Sequence, residues 1–358
     1  MRAAYVELNF FHGEIVPTFC RLARDAGLDL DVHVLRANAE LDPLGSIPPP
    51  ERPPLVPIDV PDPHDPCAGP LDHLTRLEQG RYDVLILGTA DPPDRARALA
   101  RLDIPQLHVV HNLDRAPAAR PGVTHAVLAS HARPHVTPGT VVVEPLFTGV
   151  PGASCQPAAA RPVVVAVPGT VQLGRRNYGA LLRALVRLRD DGVTPDDLRV
   201  ALVGRAFDRE PHLLGRTHYE GERLGRALDR AGVTDFVTMS PRELTYPEVH
   251  RALLESHHVL PLIDECFMPT RAYLRGKHTG SIGVGLGAGA VPILSTRHAD
   301  ALDLHIGPRY RLDHVEDGLR AALDTSMLDA DRAALDGWRE QRLAASAASF
   351  RAWLDRVT

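Results

Sequence analysis

The chain has 358 residues, 44% of them hydrophobic and 24% charged, with a formal net charge of -5. That length suits two α/β units, each able to bury a sizeable core, and the composition excludes wholesale disorder. The net charge gives no reason to expect a nucleic-acid partner, and no apolar run reaches the roughly 18 residues of a membrane span.

Met1–Leu8 reads directly as a strand, with no targeting signal expected before it. Cys20, Cys67, Cys155 and Cys266 are far apart and form no paired motif. They are expected to be reduced thiols of a soluble, cytoplasmic protein rather than a disulfide or zinc framework.

Apolar runs alternate with amphipathic stretches, the pattern of βαβ units around a parallel sheet. A strand is expected at Ala3–Leu8, then a loop at Phe11-His12-Gly13 and a helix over Ile15–Ala26. Further strands are expected at Asp31–Leu35, Val84–Leu87, Gln106–Val110, Ala126–Leu128 and Val141–Val143. Short continuous apolar runs such as Val84-Leu85-Ile86-Leu87 suit strands covered on both faces. Eleven of the residues from Pro43 to Pro70 are proline, which predicts an extended loop because proline cannot donate to a ladder. That loop is either an inert surface excursion or the border of a binding site.

The Ala-, Gly- and Pro-rich run Pro151–Pro162 reads as a linker, after which the pattern restarts. Strands are expected at Val163–Val167, Arg199–Val203, Asp235–Thr238, Val259–Leu262 and Val291–Leu294. Helices are expected over Asn177–Asp190, Gly221–Ala231 and Pro247–Ser256, with a glycine-rich one from Thr279. The spacing therefore predicts two Rossmann-like doubly wound halves, residues 1–155 and 156–330. A closing helix over 331–358 is expected to pack back across the domain interface.

In such halves ligands bind beyond the carboxyl ends of the strands, where helix N-termini offer free N–H groups to phosphate. Three segments of the second half qualify. Gly169 opens a loop that carries Arg175 and Arg176 into a helix, either an anion clamp or a solvated turn. Asp264 and Glu265 follow a buried strand and either hold hydroxyls or face solvent. Lys277, the only lysine in the chain, precedes Thr279, Gly280 and Ser281. That run offers cap hydroxyls and unencumbered amides to an anion. The glycines that follow, through Gly289, make a weak helix, which implies close backbone packing on a sheet or room for a ligand. In the first half, His111 ends a strand, and Gly13 lies in the loop after the first strand. No cluster has a metal-ligand spacing.

In this order the residues resemble GT-B glycosyltransferases, specifically the retaining enzymes of the family-four type. The runs that carry the likeness are Gly169…Arg175-Arg176-Asn177-Tyr178 and Tyr273…Lys277…Gly280-Ser281…Gly289…Pro292, together with Val110-His111-Asn112. The resemblance implies two domains facing a central cleft, with 1–155 on the acceptor side and 156–330 binding a nucleotide sugar, UDP- or GDP-linked. It implies His111 near the donor sugar, Gly13 in the family's first glycine loop, and no cofactor beyond the nucleotide-diphosphate sugar as co-substrate. Metal-independent transfer to an unidentified acceptor follows from it. Aligned on Pro292, the family's two glutamate positions hold Lys277 and Gly285, so a cation stands where an acid is usual. Asp264 or Glu265 is then the candidate replacement. A non-catalytic GT-B-like partner protein and a nucleotide-sugar epimerase or phosphorylase remain as alternatives, and the oligomeric state is open.

Overall fold

The computed structural model describes residues 1–9, 12–59, 77, 80–89, 99, 101–116, 120–128, 131, 136–146, 160–204, 217–240, 242–263, 271–277 and 279–358. Two compact units divide the chain. Unit 1 comprises Met1–Val150, Arg275–Gly280 and Glu340–Thr358; unit 2 comprises Pro151–Leu274 and Ser281–Arg339.

Unit 1 is built on a seven-stranded parallel sheet of order β3-β2-β1-β4-β5-β6-β7. Its strands are β1 (Arg2–Glu7), β2 (Asp29–Leu35), β3 (Leu55–Ile58), β4 (Val84–Leu87), β5 (Gln106–Val110), β6 (Val123–Val127) and β7 (Val141–Val142). Every residue of β4 and β5 is buried, as continuous apolar runs require when both sheet faces are covered. Helix α1 (Val16–Asp25) lays Val16, Phe19, Cys20, Leu22 and Ala23 into the core beside Tyr5, whose ring centroid lies 5.5 Å from that of Phe19. Strand order runs outward from β1 through β2 to β3 and resumes on its other side at β4. The topological switch point thus lies at the carboxyl ends of β1 and β4.

The proline-rich segment is not wholly the loop expected. Residues Leu55–Ile58 form β3, which pairs with β2 and sets Pro57 opposite Val34. An edge strand tolerates proline because one side of it makes no ladder bonds, which is why proline density misreads this stretch. Short helix α2 (Arg36–Ala39) leads into it. The part of the segment from residue 60 onward lies outside the described residues.

Unit 2 carries a five-stranded parallel sheet of order β10-β9-β8-β11-β12. Its strands are β8 (Val163–Pro168), β9 (Leu198–Val203), β10 (Val237–Met239), β11 (His258–Val259) and β12 (Val291–Pro292). Here the switch point lies between β8 and β11. Helix α3 (Tyr178–Asp190) buries Tyr178, Leu181, Leu185 and Leu188 on this sheet, and Asn177 caps it by accepting from the Ala180 amide at 3.0 Å. Helices α4 (Thr217–Ala231), α5 (Tyr246–Leu254), α6 (Arg271–Arg275) and α7 (Gly280–Gly287) follow in chain order.

Two expected strands are shorter than their apolar runs. β11 stops at Val259 because the chain soon turns, with Leu262 at φ 55°, outside the extended region. The run at Val291–Leu294 splits: β12 pairs with β11, whereas Leu294 turns away so that β13 (Leu294–Ser295) pairs with β14 (Arg309–Tyr310). Helices α8 (Thr296–Leu302) and α9 (Val315–Leu323) flank this pair in sequence. The last helix, α10 (Leu328–Val357), contributes its first turns to unit 2 and the residues from Glu340 to unit 1. In unit 1 it buries Phe350, Trp353 and Leu354, and Ser346 and Ser349 accept from the amides of Glu144 and Val142.

Several histidines lie within these cores. Burial pushes His108 on β5 and His250 and His258 in unit 2 down from 6.5 to about 4. Neighbouring cationic groups add to the effect at His108 and His258. A histidine held neutral in the fold but basic when unfolded destabilises the fold as pH falls from 6.5 toward 4, by up to about 1.4 kcal/mol per pH unit for each proton taken up. Urea unfolding measured across that window is expected to show falling stability, and the His250→Gln/His258→Gln double variant a shallower slope. An unchanged slope in the variant contradicts this.

Candidate functional site

The described sequence candidates fall into two sets, one in each unit, beyond the carboxyl ends of strands near the middle of each sheet. In unit 2, Gly169 leaves β8 at φ 98°, with its amide bonded to the Val203 carbonyl at 2.7 Å. A Cβ on the neighbouring Gly204 would stand 2.8 Å from the Gly169 backbone, so the two loops after β8 and β9 are in direct backbone contact. Beyond Gly169 the expected arginine pair separates. Arg175 is exposed, whereas Arg176 is only 8% exposed.

The Arg176 guanidinium donates to three neutral oxygens: Nε to the Thr170 carbonyl at 3.3 Å, Nη1 to the Pro261 carbonyl at 2.5 Å and Nη2 to the Ser281 hydroxyl at 2.5 Å. Among the described residues no carboxylate pairs with it. Burial lowers its pKa, the direction expected of a cation removed from water. A buried charge of this kind costs several kcal/mol unless an opposite charge reaches it. Arg176 thus gathers the loop after β8, the turn after β11 and the start of α7 around one positive group.

The glycines of α7 have more than one cause. At Gly285 a Cβ would lie 2.5 Å from Val259 Cγ2, so the helix backbone rests directly on β11. Close packing on the sheet therefore accounts for that glycine. Gly289 ends the helix at φ 79°. Asp264 and Glu265 lie outside the described residues.

In unit 1 the short segment Arg275–Gly280 runs beside the end of β5. Lys277 forms an antiparallel bridge with Asn112, the Leu113 amide donates to the Gly276 carbonyl at 3.3 Å, and a Cβ on Gly276 would meet Leu113 at 2.3 Å. Lys277 and His111, distant in sequence, are thereby brought into one neighbourhood. Thr279 is half-buried, and the Glu14 carboxylate lies over Gly280, where a Cβ would approach it to 2.4 Å.

His111 is 4% exposed and its Nε2 donates to the Gly88 carbonyl at 2.9 Å, with the Thr89 hydroxyl 3.4 Å away. Because a carbonyl only accepts, the proton sits on Nε2. The His12 ring stacks against it at 3.9 Å, and His12 Nδ1 is 3.3 Å from Glu14 Oε1. His12 adopts φ 77° immediately before the buried Gly13, which begins a 3-10 turn.

Sequence reasoning missed Glu7, His12, Glu14 and Thr89. Glu7 is fully buried at the end of β1, accepts from the Asn9 amide and the Thr89 hydroxyl, each at 2.8 Å, and is pushed up to about 8 by burial. The nearby His12 and these hydrogen bonds work in the opposite direction. A glutamate closing the run Ala3-Ala4-Tyr5-Val6 was a legible signal, since a charged residue at the carboxyl end of a buried strand points to a site.

No family model matches the chain, and no curated protein is similar to it in sequence. Solved structures are similar in fold. A glycosyltransferase from Rickettsia africae ESF-5 has a TM-score of 0.60 at 12% identity, covering 99% of this chain and 98% of that one. Sucrose-phosphate synthase from Thermosynechococcus elongatus also reaches 0.60 at 12% identity, covering 96% and 97%. Anabaena HepE, in complex with UDP and glucose, reaches 0.55 at 13%, covering 98% and 94%. These neighbours are GT-B glycosyltransferases, and the chain has their fold, an α/β arrangement with one parallel sheet in each unit.

The two glycine contacts make opposite predictions. Gly285→Ala drives a methyl into β11 and is expected to cost about 1–3 kcal/mol in urea unfolding. Gly280→Ala meets the far end of the Glu14 side chain, which can turn aside more readily than a strand, and is expected to cost under about 1 kcal/mol. Equal losses from the two would contradict the packing described for α7.

Proposed function

We propose that this chain is a glycosyltransferase that moves a sugar from a nucleoside-diphosphate donor to an acceptor. The observation that carries this reading is Arg176, a buried cation whose described partners are all neutral, at the switch point of unit 2 and beside the first turn of α7. A diphosphate supplies the opposite charge that such a group lacks. The complex of HepE with UDP and glucose supports the same donor class.

As the acceptor attacks the anomeric carbon, the bond to the diphosphate breaks and negative charge grows on the leaving oxygen. Arg176, with the amides around Gly280 and Ser281, stabilises that charge without a metal ion. Arg175, being exposed, has a smaller part. Lys277 is assigned to phosphate or sugar, His111 to the reacting sugar, and Asp264 or Glu265 to the donor's hydroxyls. Retention of configuration, as in the family-four type, and a cytoplasmic location belong to the same proposal.

The test is turnover of UDP- and GDP-sugars by wild type, Arg175→Ala and Arg176→Met, read as release of free diphosphate and as sugar-bearing product. Arg176→Met is expected to lower kcat/KM at least about 100-fold, the scale of losing one preorganised donor to a developing anion. Its unfolding free energy is expected to stay within about 3 kcal/mol of wild type, because relief of the buried charge offsets the hydrogen bonds lost by Thr170, Pro261 and Ser281. Arg175→Ala is expected to stay within about threefold of wild type. Full activity in Arg176→Met overturns the assignment. Diphosphate binding without turnover of any donor favours a non-catalytic partner protein, and interconversion of the donor sugar without an acceptor favours an epimerase.

A further inference from the structure

The described part of unit 1 holds a fully buried carboxyl that the proposed transfer reaction does not yet use. Glu7 ends β1, Thr89 follows β4 and His111 follows β5, so three neighbouring strands deliver a carboxyl, a hydroxyl and an imidazole to one point. The contacts run in series: Glu7 Oε2 to Thr89 Oγ1 at 2.8 Å, then Thr89 Oγ1 to His111 Nε2 at 3.4 Å. The backbone is shaped to permit this. Gly88 has no side chain, and a Cβ there would come within 2.6 Å of Glu7 Oε2 and 2.2 Å of the Tyr5 hydroxyl. Its carbonyl takes the Nε2 proton of His111 at 2.9 Å.

We propose that Glu7 is a positioning residue of the His111 site, which acts through the Thr89 hydroxyl to hold the imidazole against Gly88 and to set the charge that the ring carries. The proposal rests on the transferase reading for the reaction served, but the link between Glu7 and His111 stands on its own contacts.

With its proton on, Glu7 is a neutral neighbour and adds no charge of its own at the ring. Once Glu7 ionises, a negative charge two hydrogen bonds from Nε2 favours the imidazolium. The burial that lifts Glu7 to about 8 puts this change just above neutral pH. Other groups face the same point and enter the balance. His12 stacks on His111 and attracts the Glu7 carboxylate, Glu14 beside His12 repels it, the Asn9 amide donates to it, and Tyr5 presents its hydroxyl at Gly88. Two ionisable groups so linked titrate as a pair rather than singly.

The experiment is an NMR titration of the His111 ring in full-length wild type, Glu7→Gln and Thr89→Val, alongside the pH dependence of kcat and KM. Glutamine keeps the shape and can still bond to Asn9 and Thr89, whereas valine removes the relay together with the hydroxyl's bond to Glu7, so each variant tests the link if the other folds poorly. Wild type is expected to show a second inflection of the His111 signals near pH 8, lost in Glu7→Gln and diminished in Thr89→Val. A step in kcat at the same pH is expected to vanish in Glu7→Gln while KM changes less than about twofold. Wild-type His111 signals that do not respond near pH 8, or an inflection that persists in Glu7→Gln, overturn the proposal. The titration needs no substrate, so a coupled His111 in a protein that transfers no sugar sinks only the transferase reading.

Discussion

Arg176 holds the site of unit 2 together by reaching three segments at once. Its guanidinium joins Thr170 after β8, Pro261 after β11 and Ser281 in the first turn of α7, segments that only the crossover of a parallel sheet brings to one place. The contacts use three of its five N–H donors and leave its charge unmatched among the described residues. A planar fork with several fixed donors suits this task where an ammonium would not, since no single point charge reaches three carbonyl and hydroxyl oxygens in different directions. The same geometry leaves a positive group in need of an anion beside a helix start, where phosphate is favoured by the free amides and the helix dipole.

Unit 1 makes the opposite choice at the equivalent position of its own sheet. There the buried group is an acid, Glu7, held neutral by the same desolvation that burdens Arg176. The two switch points thus carry complementary chemistry. One offers fixed positive charge; the other places a carboxyl, a hydroxyl and two stacked imidazoles together.

Much of the fold was legible because its strands are short apolar runs buried on both faces, as at Val84–Leu87 and Val163–Pro168. What escaped was set by backbone geometry rather than hydrophobic pattern. Pro57 sits in an edge strand that proline density hides, and Leu262 turns left-handed in a run that reads as extended. Among the candidate residues, the positions of His111 and Gly169 after strands and of Arg176 before a helix were readable. The division between buried Arg176 and exposed Arg175 was not, because adjacent residues entering a helix differ only in the direction they face. Glu7 closes an apolar strand and was legible as such, but Thr89 follows β4 and reaches it only through the strand order, so no local spacing joins the two.

Calorimetric titration of the wild-type protein with a nucleoside, its monophosphate and its diphosphate, using uridine and guanosine series, tests the central claim most directly. If Arg176 awaits a diphosphate, the diphosphate of one series binds at least about tenfold tighter than its monophosphate, a difference of about 1.4 kcal/mol, and the nucleoside binds weakest. That preference disappears in Arg176→Met. Equal affinity for all three ligands, or an undiminished preference in the variant, would contradict the account.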